Sequence, residues 1–110
     1  REEAISQTLT LRLTDTAEAD LAEIWAYLAT EAGEPVASRF LEGVGATLDV
    51  VRQSPLMGPS REQLSMGLRV TFHHPYAIYY HVTDRELIIV RVLHGARDTV
   101  AIAEQGGFLH

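Results

Sequence analysis

The side chains best suited to chemistry collect in the second half of the chain: Arg69, Arg91 and Arg97, the histidines His73, His74, His81, His94 and His110, and Tyr79. Guanidinium groups grip anions through a planar fork, and imidazoles exchange protons near neutral pH. If the strands alternate as described below, Arg12, Arg69, Thr71, Tyr79, His81 and Arg91 share one sheet face, a constellation suited to anion binding or acid/base work. The plainer alternative is a solvated face whose arginines pair with acidic residues of neighbouring strands. His73 and His74 are adjacent in a turn, so their side chains diverge and a shared metal is not expected. His81 and His94 fall on strands, where a hydrogen-bonded structural role is the commoner one. Cysteine is absent from the chain, which excludes disulfides and thiolate metal sites. With no Gly-rich phosphate loop, nucleophile elbow or useful carboxylate pair in the sequence, the residues alone define no reaction.

Those side chains are carried by the run from Gly67 to Asp98. Three apolar, β-branched and aromatic segments, Leu68 to Phe72, Tyr76 to Val82 and Leu87 to Leu93, are separated by His73-His74-Pro75 and Thr83-Asp84-Arg85. Pro75 has no amide proton and belongs between strands. Both turns are short, so the prediction is an antiparallel three-stranded meander. Alternation nominates Leu68, Val70 and Phe72, then Ile78, Tyr80 and Val82, then Ile88, Val90 and Val92 as inward-facing sets.

Upstream, Thr8 to Leu13 alternates strictly, with Leu9, Leu11 and Leu13 on one face, and predicts a half-buried strand. Asp15 and Glu18 have the spacing of a helix-capping pair. Leu21, Ile24, Trp25 and Leu28 then form an apolar stripe, which places Trp25 in the core. Gly33 can end this helix and Pro35 can open the next, so two antiparallel helices follow one another directly. In the second, Val36, Phe40, Val44, Leu48 and Val51 line one side, and Gly45 suggests a close approach by a neighbouring element. Ser54-Pro55 stops it. The loop to Ser60 is expected to be anchored through Leu56 and Met57, and Arg61 to Ser65 to make one helical turn. Two consecutive striped helices must be buried together on one sheet face. The predicted architecture is therefore α+β and two-layered, an N-terminal strand and helical hairpin packed on the C-terminal antiparallel meander. Residues 1–7 are expected to be a flexible arm, 8–98 the domain and 99–110 a C-terminal tail.

A chain of 110 residues is expected to form one domain. Its formal charge is −6 and all nine basic residues are arginines, a balance that disfavours nucleic acid as the primary ligand. No apolar run approaches the about 20 residues a bilayer requires, and no leader-like start is evident, so the expected compartment is the cytoplasm.

Six segments carry a family resemblance. Ala19 to Trp25 (ADLAEIW) with Tyr27, Ala37 to Leu41 (ASRFL), Ser54 to Gly58 (SPLMG), Gly67 to Arg69, Tyr76 to Val82 and Arg91 to Asp98 (RVLHGARD) resemble, in this order, the ParE family of toxins from bacterial type II toxin-antitoxin systems. The similarity runs from about Leu9 to Asp98. It implies the same fold and a small cytoplasmic protein without cofactor or enzymatic activity. It also implies neutralisation by a ParD-like ribbon-helix-helix antitoxin, with operator DNA met only indirectly through that antitoxin. The implied action is inhibition of DNA gyrase through protein-protein binding, leading to growth arrest. Trp25, Tyr27 and Phe40 are then the expected antitoxin anchors, and Arg69, Arg91 and Arg97 the residues expected to serve the target or function. The rival within the same superfamily is a RelE-type ribosome-dependent mRNA endonuclease. For that reading Arg97 matches the family's arginine, and Arg69 and Arg91 could mimic its phosphate contacts. Asp98 to Ala103, however, contains no tyrosine, histidine or lysine to act as the acid/base partner. A third reading is a non-toxic antitoxin-binding or regulatory module of the same fold.

Overall fold

The computed structural model describes residues 9–110, so the expected arm and Thr8 lie outside the described residues. The elements run β1 (Thr10–Leu13), α1 (Asp15–Ala32), α2 (Glu34–Gln53), β2 (Arg69–His73), β3 (Tyr76–Val82), β4 (Glu86–His94) and α3 (Thr99–Glu104). Thr14, one residue before the expected capping pair, caps α1: its Oγ1 accepts from the Ala17 amide at 3.1 Å, while Asp15 and Glu18 occupy the first turn beside the positive helix end. Gly33, at φ 99°, ends α1 and leads straight into α2, with Pro35 in the first turn. The resulting hairpin lies on one sheet face and buries Phe40, Val44, Leu48 and Val51 of α2, with Leu21, Ile24 and Leu28 of α1 packed alongside. Among the described residues no helix is long and apolar enough to cross a membrane.

The sheet order is β1-β4-β3-β2. The meander β2-β3-β4 is antiparallel, as its short turns require, and β1 joins the open edge of β4 in parallel, which makes the sheet mixed.

The facing of β2 and β4 differs from the predicted alternation. Arg69 pairs with Tyr80 and Thr71 with Ile78, so these β2 residues share the helix-covered face while Leu68 and Val70 point to the other side. Phe72 is 41% exposed rather than inward. In the β3-β4 ladder a bulge at Tyr79/Tyr80 shifts the register by one residue. Leu87, Ile89 and Val92 therefore face the helices, whereas Ile88, Val90 and Leu93 face away. A one-residue slip moves every later side chain to the opposite face, which is why a strict period of two misassigns these positions.

The face away from the hairpin is not solvated. Leu68, Val70, Ala77, Tyr79, Ile88, Val90 and Leu93 form a second apolar cluster there. It is closed by the segment expected as a tail: α3 leads to a turn at Gly106-Gly107 that delivers Phe108, 1% exposed, against Tyr79.

Three local expectations change as well. Trp25 is half-buried and lines a groove with Leu21, Ala22 and Leu41 instead of entering the core. Leu56 and Met57 are 66% and 61% exposed, and the 54–60 loop is anchored by polar contacts. Tyr80 Oη donates to Pro55 O at 2.8 Å, and Arg69 Nη1 donates to the carbonyls of Leu56 and Gly58 at 3.1 and 2.8 Å. Nothing lies within 4 Å of where a Cβ on Gly45 would be, so no close approach explains that glycine.

Candidate functional site

The three arginines nominated from sequence do not converge. Arg91 is spent on α1: its Nε and Nη2 donate to the two carboxylate oxygens of Asp20 at 2.8 and 3.1 Å, and both side chains are largely buried. The same carboxylate accepts the Val92 amide at 2.9 Å. Because β1 stops at Leu13, Asp20 and the Thr14 hydroxyl, which donates to Val90 O at 3.2 Å, occupy the edge of β4 that a longer β1 would have paired. Arg69 lies on the helix-covered face, holding the 54–60 loop as above, and so is separated from His81 and Tyr79 on the other. Arg97 stands exposed in the turn after β4, its amide donating to His94 O at 3.0 Å. The ion pairs among the described residues are Arg12–Glu86, Arg52–Asp49 and Arg91–Asp20, and Arg97 belongs to none of them. No group of three or more metal-ligating side chains occurs among the described residues.

What the fold does assemble is a set of grooves along the hairpin, two of which hold the expected anchors. The first, of about 500 Å³, lies where the hairpin meets the β2-β3 turn and the end of β4, and Tyr27, Arg39, Phe40, His73, Tyr76 and His94 line it. Phe40 is 6% exposed and meets Tyr76 edge-on at 5.0 Å between ring centroids, with His73 at 5.9 Å. Tyr76 in turn takes His94 against its ring at 5.8 Å. Tyr27 sits at the rim, 62% exposed. Burial, then the neighbouring Tyr27, raises the Tyr76 hydroxyl above the ordinary tyrosine value, so it is a neutral donor at physiological pH. His73 occupies space that Gly43 leaves open, since a Cβ there would strike its ring. The second groove, of about 320 Å³ and almost entirely apolar, is the one lined by Trp25 and Leu41.

Of the three aromatic anchors expected from sequence, Tyr27 and Phe40 therefore share one groove and Trp25 lines a separate one. Tyr76, His73 and His94 join them and were not singled out for this surface. The signal was present for Tyr76, which alternates in phase with the inward Ile78 and Tyr80.

A strand, a helical hairpin and an antiparallel meander make up a fold shared with solved chains of toxin-antitoxin assemblies. The chain superposes on a solved chain of the chromosomal ParDE toxin-antitoxin system from P. aeruginosa with a TM-score of 0.68, at 21% identity, covering 79% of this chain and 96% of that one. It also superposes on a chain of the RelBE2 toxin-antitoxin complex from Mycobacterium tuberculosis with a TM-score of 0.54, at 22% identity, covering 80% and 99%. At the level of sequence, residues 11–99 match the family described as ParE toxin of type II toxin-antitoxin system, parDE, and the chain belongs to that family. It is 34% identical over 83 residues to Toxin ParE1 of Caulobacter vibrioides, covering 76% of this chain and 85% of that protein.

Proposed function

We propose that this ParE-family chain acts in the cytoplasm as a non-enzymatic toxin, neutralised by a ParD-like antitoxin and arresting growth by binding DNA gyrase. The observation that carries the reading is the division of labour among the side chains. Arg69 and Arg91, which a phosphate-cleaving site would need free, are committed to the loop carbonyls and to Asp20, while large apolar groups stay available on the hairpin. The apolar Trp25 groove and the Tyr27–Phe40–Tyr76 groove suit an amphipathic helix that offers aliphatic anchors along one face. Arg97, exposed beyond β4, is the one of the three nominated arginines left for a target.

Expression of the chain without an antitoxin tests this. The expected outcome is growth arrest with SOS induction and filamentation while methionine incorporation continues. Rapid loss of incorporation, with transcripts cut at ribosomal A sites, would establish the RelE-type nuclease instead. Unimpaired growth would favour the regulatory module.

A further inference from the structure

The outer sheet face is covered by very little chain. α3 has six residues and no fully buried side chain, and Ile102 and Ala103 are only partly sheltered. The cover is held chiefly by Phe108, whose ring lies 4.8 Å from that of Tyr79, and beyond it the His110 ring lies 4.7 Å from that of His81. The approach is tight: Gly106 takes φ 76°, and a Cβ on Gly107 would strike Ile102 and come within 3.1 Å of Arg91 Nη1. We propose that residues 99–110 form an acid-released latch, closed over the outer face while His81 beneath it is neutral and detached when it is protonated.

The contacts around His81 set the direction. Its own strand contributes Tyr79, the C-terminal segment contributes His110, and neighbouring β4 contributes the apolar Ile88 opposite it. The 61–67 turn contributes Arg61, near enough to act on Tyr79, and Glu62, whose exposed carboxylate is engaged by the Gly67 amide at 3.2 Å. The half-buried site penalises a charge on His81. Burial, and then His110, push His81 below the ordinary histidine value of 6.5 and outweigh the opposing pull of the Phe108 and Gly67 carbonyls. Because the closed state lowers this value, its stabilisation is complete above pH 6.5 and is lost as pH falls toward the depressed value. One unit below 6.5, release of a single histidine favours the detached segment by up to about tenfold. The latch concerns the face opposite the grooves and does not depend on the proposed function.

Amide hydrogen exchange on the purified full chain, with protection factors corrected for intrinsic rates at pH 7.5 and 5.5, tests it. The expected result is a drop of up to about tenfold in protection over residues 101–109 at pH 5.5, with α2 and β4 unchanged. His81→Gln should keep the segment protected at both pH values, and Phe108→Ala should unprotect it at both. Equal wild-type protection at the two pH values would overturn the latch. So would a loss shared by the whole domain, the same acid loss in His81→Gln, or a segment that stays closed in Phe108→Ala.

Discussion

Arg91 shows how a residue that reads as functional in a sequence can be structural in a fold. On an alternating strand it looks like an outward cation, but the nearby bulge and the early end of β1 turn it onto Asp20, a partner 71 positions away that no local pattern announces. Asp20→Ala would leave a largely buried guanidinium and the Val92 amide without their acceptor, with an expected cost of about 3–5 kcal/mol in urea unfolding. Replacing both partners with apolar residues, Asp20→Leu with Arg91→Met, should recover the part of that loss that comes from stranding one charge, with the Val92 amide still lacking its acceptor. Arg97 behaves oppositely. Arg97→Ala should shift stability by no more than about 0.5 kcal/mol, since the residue is exposed and outside the described ion pairs, yet weaken toxicity. Toxicity equal to wild type would remove it from the site.

Among the elements, the two helices and the three-stranded meander were legible because their signals are local. A period of 3.6 ran through Val36, Phe40, Val44, Leu48 and Val51, and Gly33-Glu34-Pro35 punctuated the hairpin. The facing of β2 and of most of β4, and the cover of the outer face, were not legible. The bulge at Tyr79/Tyr80 depends on pairing between strands, and α3 with Phe108 is too short to show a period of its own. Glycines carry the same lesson. Gly45, at an exposed helical position with open space where a Cβ would sit, should tolerate alanine with a gain of up to about 1 kcal/mol from its better helix propensity. Gly58 is buried, and a Cβ there would strike the Tyr80 hydroxyl and the Val70 carbonyl, so Gly58→Ala should cost about 1–3 kcal/mol. Thermal unfolding of the two variants should move the midpoint in opposite directions, and a loss in both would contradict the account of the hairpin.

On the scale of the molecule, a hairpin and a C-terminal segment sandwich one mixed sheet, and the two faces differ in how they are closed. The hairpin side is sealed by a deep apolar core and keeps aromatic grooves open at its surface, whereas the opposite side is sealed by Phe108. That asymmetry fits a protein that works by gripping partners, with its arginines mostly holding its own chain in place. The most direct measurement is the supercoiling of relaxed plasmid by purified DNA gyrase in the presence of the purified chain. The account predicts that supercoiling stops at near-stoichiometric toxin and resumes when a ParD-like antitoxin is added. Full supercoiling in the presence of excess, correctly folded chain would contradict it.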